Sequence, residues 1–150
     1  MTLLLGAGGL TAHRLSHYER KRIAVMNGWL DLLYYIRTGI DCYLTPLEEL
    51  FSKAPASLLR ACMGDKSLRT PNALLRRSKP YLDRESADLL ESFAREIGGC
   101  YRDEQVRRCD YYIATLRALR DKQKSELPGR LRTRTTRCVC GAFGLAIMLW

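Results

Sequence analysis

The stretch ERKRIAVMNGWLDLLYYIRTGIDCY, residues 19–43, decides the fold class. Within it Ile23, Met26, Leu30, Leu33 and Ile40 recur at three- and four-residue intervals, and Arg37 occupies the one place where the apolar series is interrupted. That period matches the turn of an α-helix, so the spacing predicts a long amphipathic helix from Glu19 to Tyr43. Trp29, Tyr34, Tyr35 and Tyr43 add aromatic area to it. Aromatic residues at helical spacing read as core rather than as a base-stacking platform.

Immediately after this helix comes Thr45-Pro46-Leu47-Glu48-Glu49. A threonine hydroxyl can cap a helix, a proline suits the first helical position where no N–H is needed, and a glutamate three residues after the cap can bond back to it. The reading is a turn near Tyr43 and a short helix from Pro46 to Pro55, capped by Thr45. Ser57 to Met63 makes a further short helix closed by Gly64. Leu74 and Leu75 suggest a brief helix between Pro71 and Pro80, in a stretch made basic by Arg69, Arg76, Arg77 and Lys79. From Asp83, a plausible cap, Leu90, Phe93 and Ile97 form another apolar face, broadened by Leu89 and Ala94 and ended by Gly98-Gly99. Val106, Cys109, Ile113 and Leu116 then mark a last long helix, with Asp103 and Glu104 favoured in its first turn by the helix dipole. Pro128-Gly129 should break or kink it. No strand-like alternation and no internal repeat interrupts the series. The expected fold class is therefore all-α, a compact bundle of about five or six helices flanked by short apolar ends.

Composition agrees with a single folded domain. Apolar residues reach 47%, too many for a chain disordered by composition. The net charge of +9, from 25 Lys and Arg against 16 Asp and Glu, calls for an anionic neighbour: nucleic acid, lipid headgroups or an acidic protein.

The two ends carry the clearest functional hint. Residues 1–12, MTLLLGAGGLTA, and residues 138–150, CVCGAFGLAIMLW, contain no charged side chain. Each run is shorter than the ~20 residues that span a bilayer as a helix. Arg20, Lys21 and Arg22 follow the first run, and Arg130, Arg132, Arg134 and Arg137 precede the second. Positive charge thus gathers on the inner side of both apolar ends, which would hold the middle of the chain in the cytoplasm and direct the termini towards lipid. Three regions follow: an apolar N-terminal segment, 1–18, as a membrane anchor; a helical bundle, 19–130; and a basic approach with an apolar membrane-associated tail, 131–150. Residues 1–12 lack the basic n-region and cleavage site of a secretory signal.

A search for chemistry finds little. Six cysteines (Cys42, Cys62, Cys100, Cys109, Cys138, Cys140) include no CxxC, and Cys138-Val-Cys140 is far from His13 and His17, so a zinc site is not expected. The thiols read as small apolar core or interface residues. Phosphate-loop, zinc-protease and nucleophile-elbow motifs are absent from the sequence. The expectation is a chain that is not an enzyme, with no cofactor, no metal and no small-molecule substrate. A soluble basic nucleic-acid-binding helical module is the alternative, resting on the basic segments Arg69–Lys79 and Arg130–Arg137, although no helix-turn-helix or zinc-finger spacing accompanies them.

In order, Leu3-Leu4-Leu5-Gly6, the segment Leu44-Thr45-Pro46-Leu47-Glu48-Glu49, the segment Phe93-Ala94-Arg95-Glu96-Ile97-Gly98 followed by Asp103 and Gln105, and the glycine-containing apolar tail resemble the stage III sporulation protein AB family of endospore-forming bacteria. The chain departs from that pattern in its shorter apolar ends, in an extra residue around Gly98-Gly99-Cys100-Tyr101 and in Pro128. The resemblance implies a helical domain similar to the cytoplasmic part of the inner-membrane platform protein of type II secretion and type IV pilus systems. It also implies a structural adaptor in the complex linking mother cell and forespore. Its partners would be a secretion-type ATPase, the other stage III sporulation subunits and membrane lipid, with no nucleic acid. It would sit at the mother-cell membrane with the bundle facing the cytoplasm. Thr45, Pro46, Leu47, Glu48, Glu49, Asp103 and Gln105 are the positions expected to be under structural or interaction constraint.

Overall fold

A computed structural model describes the backbone of residues 2–148 apart from 65, 66, 69 and 98–100, and the side chains of those residues that lie between 16 and 129. Among the described residues the chain is all-α, as its periodicity requires. The helices are α1 (Thr2–Tyr43), α2 (Leu47–Lys53), α3 (Ala56–Ala61), α4 (Pro71–Ser78), α5 (Arg84–Glu96) and α6 (Arg102–Met148), with a 3-10 turn at Lys79–Tyr81. The first helix starts well before Glu19, at Thr2: no proline lies between them, and neither Gly8-Gly9 nor the Ser16-x-x-Glu19 pattern interrupts it.

Helix α1 is the axis of the bundle. Val25, Met26, Trp29, Leu30, Leu32, Leu33, Ile36 and Ile40 are all buried, a far wider arc than the stripe read from spacing. The arc is wide because α6 covers one side while α2, α3 and the 3-10 turn cover others. Tyr34 and Tyr43, expected to widen the core, are exposed instead; of the four aromatic residues only Trp29 is fully buried, with Tyr35 packed at its edge. Burying a large apolar side chain contributes about 1.5–3 kcal/mol. Trp29, Phe51 and Phe93, each at most 1% exposed, therefore anchor the core from three different helices.

Two glycines let short helices approach α1. A Cβ on Gly28 would lie 2.6 Å from the backbone carbonyl of Ala61 in α3. A Cβ on Gly39 would lie 2.2 Å from a methyl of Leu50 in α2.

Local chemistry then sets where elements stop. Leu44 has φ 53°, so the chain reverses there and the Thr45 N–H returns to the Gly39 carbonyl at 3.3 Å. That reversal turns the Thr45 hydroxyl back towards the Tyr43 carbonyl (3.5 Å) and away from α2. The expected capping box is therefore not formed: α2 begins at Leu47, behind Pro46, with no side-chain cap. A Thr-Pro cap occurs instead at the next such pair, where Thr70 Oγ1 accepts from the Ala73 N–H (3.3 Å) and Pro71 opens α4. At the end of α3 the left-handed residue is Met63 (φ 66°), not Gly64. The Met63 N–H bonds Arg60 O at 3.0 Å and the Gly64 N–H bonds Leu59 O at 2.7 Å, a Schellman closure. Gly64 is needed for space, since a Cβ there would lie 2.3 Å from a Leu74 methyl.

The second half follows its pattern more closely. Asp83 caps α5, its Oδ2 accepting from the Ser86 N–H at 3.4 Å, and Leu90, Phe93 and Ile97 are buried. Helix α5 ends at Glu96, and the Gly98-Gly99 stop lies outside the described residues. In α6, Cys109, Ile113 and Leu116 are buried with Tyr112 and Leu119, and Val106 packs at the edge. The break expected at Pro128-Gly129 does not occur: α6 runs through it. Proline there forfeits one N–H, but the carbonyl it would have bonded belongs to Lys124 on an exposed stretch, where water can serve it.

Helices α1 and α6 pack antiparallel. Asn27 meets Arg120, Tyr34 meets Arg117, Arg37 meets Asp110 and Asp41 meets Arg102, so α6 numbers fall as α1 numbers rise.

Candidate interaction surface at one end of the bundle

Where α1 ends and α6 begins, charged side chains form a ladder across the seam. Arg102 donates to the Asp41 carbonyl (2.6 Å) and to Asp41 Oδ1 (2.9 Å). Arg37 sits between Asp41 Oδ2 (3.4 Å) and Asp110, which takes its Nε at 2.6 Å and an Nη at 3.3 Å. Hydrogen bonding and charge from Asp110 raise the Arg37 pKa above its ordinary value, so this guanidinium is always charged. Exposed pairs of this kind add little stability; their geometric content is register, fixing which turn of α6 faces which turn of α1.

Apolar surface gathers at the same end. Tyr101 is 91% exposed, Tyr43 75% and Leu44 69%, and Tyr111 lies one turn along α6 from Arg107. Single exposed apolar residues are ordinary, but Tyr43, Leu44 and Tyr101 gather around the Asp41–Arg102 bond, the kind of cluster that marks a protein contact. Two recesses flank it. One, of about 230 Å³, is lined by Tyr35, Thr38, Gly39, Tyr43, Thr45, Leu50 and Lys53. The other, of about 340 Å³, is lined by Glu96, Glu104, Arg107, Arg108, Tyr111 and Tyr112. In the second, the Tyr112 hydroxyl donates to Glu96 at 2.7 Å; burial and that carboxylate push its pKa up to about 12. Arg108 bonds Glu104 at 2.7 Å and the Glu96 carbonyl at 3.3 Å.

The two segments singled out by sequence, 45–49 and 103–105, share this pole. Arg102–Asp41 brings the start of α6 against the end of α1. Pro46 and Glu48 are exposed, Thr45 is half-buried, and Leu47 packs against the core. Glu49 pairs with Lys53 one turn on, Asp103 is exposed in the first turn of α6 and Gln105 is half-buried. Of the basic residues near the first apolar run, Arg20 is exposed, while Lys21 lies over the Tyr81 ring, 4.7 Å from its centre. Arg22 turns inward to Glu19 (3.4 Å) and Asp83 (3.8 Å). The side chains of Arg130, Arg132, Arg134 and Arg137 lie outside the described residues.

Sequence reading missed the Arg37–Asp110 contact and the exposure of Tyr43, Leu44 and Tyr101. The one available signal was Arg37 itself, a cation set into an apolar stripe, which requires an acid on whatever packs there. Among the described residues no group of three or more His, Cys, Asp or Glu could hold a metal ion, and no helix is long and apolar enough to cross a membrane. The chain matches no family model, no curated protein and no solved structure.

Proposed function

We propose that this chain is a non-catalytic adaptor, attached to a membrane through its apolar ends and offering the Tyr43–Tyr101 pole of its bundle to protein partners. What supports this reading is the antiparallel packing of α1 and α6. Helix α1 comes into the bundle, and α6 leaves it, at the pole where Asp83 receives both Arg22 (3.8 Å) and Gln123 (2.6 Å). The uncharged runs 1–12 and 138–150 therefore belong to helices leaving one pole, while Tyr101, Tyr43 and Leu44, the most exposed large apolar side chains among the described residues, lie at the other. Segregation of this kind suits a protein that touches lipid at one end and protein at the other.

Each uncharged run would make a helix about 18–20 Å long, well short of the ~30 Å hydrocarbon core. The attachment is accordingly a pair of helical tips entering one side of the bilayer, with arginines at the headgroup level. Because the sequence resembles the stage III sporulation protein AB family, the expected setting is the mother-cell membrane, with the bundle in the cytoplasm. The expected partners are a secretion-type ATPase and other stage III sporulation subunits.

The test is fractionation. The chain should sediment with membranes and be extracted by detergent but not by high salt. A chain lacking residues 1–12 and 138–150 should stay in the soluble fraction. Full release by salt alone overturns insertion.

A further inference from the structure

We propose that Arg76, Arg77 and Lys79, together with Lys21, form a face that binds the phosphates of anionic lipid headgroups. The inference rests on the membrane reading above and assigns it a surface that sequence order conceals. Arg76, Arg77 and Lys79 lie more than fifty residues from Lys21 in the chain. The fold closes that gap. The Tyr18 hydroxyl donates to the Pro80 carbonyl at 2.5 Å, the Tyr18 and Tyr81 rings lie 6.2 Å apart, and the Lys21 ammonium stands over Tyr81. These contacts pin the 3-10 turn to the stretch of α1 that comes into the bundle, beside the departing α6.

Arg76, Arg77 and Lys79 are presented, not consumed, by the fold, while Lys21 lies half-buried over Tyr81. Leu74, Leu75 and Ser78 take the buried side of α4, which leaves Arg76, Arg77 and Lys79 exposed. Among the described residues Arg76 and Arg77 meet no carboxylate, and Lys79 has only a distant one, Glu91 at 3.8 Å. Most arginines at the opposite pole are committed: Arg37, Arg102 and Arg108 all sit in ion pairs. Helix α4 is also held rigidly, by its Thr70 cap and by the buried Trp29–Ser78 bond, so the guanidinium groups start from a fixed base. Arginine's planar donor fork suits phosphate oxygens. A lipid surface is favoured over nucleic acid by position, because the face borders the pole from which the two uncharged runs depart, and headgroup attraction acts only within a Debye length, about 8–10 Å.

The experiment is vesicle flotation of the full chain with phosphatidylcholine vesicles and with vesicles containing phosphatidylglycerol. Arg76→Ala/Arg77→Ala is compared with Arg95→Ala, an exposed cation at the far end of α5, folding being checked by circular dichroism. The native chain should prefer anionic vesicles, the double variant should lose about 25-fold of that preference, taking about fivefold per cation, and the control should lose none. An unchanged preference in the folded double variant overturns the proposal. So does loss of duplex-DNA or RNA binding in that variant with vesicle preference intact. Binding to anionic vesicles alone, abolished by the double variant, would uphold this face while refuting insertion. Binding to neither vesicle would refute both.

Discussion

The indole N–H of Trp29, on the central helix, donates to the hydroxyl of Ser78, forty-nine residues later, at 3.0 Å in a fully buried site. Ser78 in turn bonds back to the Leu74 and Leu75 carbonyls at 3.1 and 3.2 Å. A tryptophan can fill a core only if its N–H finds an acceptor, and here a single hydroxyl provides it. Ser78→Ala leaves that donor buried and unpaired, so it should destabilise the fold by about 1–3 kcal/mol in a denaturant titration followed by circular dichroism. An effect within a few tenths would refute this role for the hydroxyl.

Gly28 and Gly39 should respond differently to alanine. At Gly28 the new methyl meets the Ala61 backbone, which cannot move without shifting α3. At Gly39 it meets the end of a leucine side chain, which can turn aside. Gly28→Ala should therefore be the more damaging, with overpacking costs of about 1–3 kcal/mol or beyond. Leu50→Ala should relieve part of the Gly39→Ala defect in a double-mutant cycle and leave Gly28→Ala unimproved.

Asp83 gives the fold an acid-sensitive point. Burial alone would push its pKa up, but the Ser86 N–H and the Gln123 amide outweigh this and hold it below the ordinary carboxylate value. A lowered folded-state pKa means the carboxylate stabilises the protein above about pH 4, and that contribution disappears as pH falls through the lowered value. Asp83→Asn should flatten the acid limb of a stability–pH curve below about pH 4. Asp83→Ala should cost about 1 kcal/mol at neutral pH through the lost cap.

Thiol labelling should separate three cysteines. Cys42 is exposed, whereas Cys62 and Cys109 are buried. Burial pushes the Cys109 thiol up to about 11 and the Cys62 thiol further still. At pH 8 a maleimide or iodoacetamide pulse, read by peptide mass spectrometry, should modify Cys42 and spare the other two until denaturant is added. Fast native labelling of Cys62 would contradict its place beneath α3.

Much of the fold was legible because helices declare themselves through spacing. The faces Met26–Leu30–Leu33–Ile40, Leu90–Phe93–Ile97 and Cys109–Ile113–Leu116 are buried as their intervals require, while Ile23 and Val106, the first members of their stripes, are only half-buried. Chain reversals were not legible. Thr45-Pro46 and Thr70-Pro71 look alike in sequence, yet only the second caps a helix, because the left-handed Leu44 turns the first threonine away. The candidate surface was legible only in halves, since residues 45–49 and 103–105 acquire a common location through Arg102 and Asp41, which spacing does not connect.

What the residue order determined alone was local: helical class, the apolar faces, the uncharged ends and their basic borders, all products of periods and charges a few residues apart. Tertiary structure decided which surfaces meet. Trp29 finding Ser78, Gly28 admitting Ala61, and Pro80 coming to Tyr18 depend on how helices of fixed shape pack at distances set by side-chain volume, and no short-range rule carries that information.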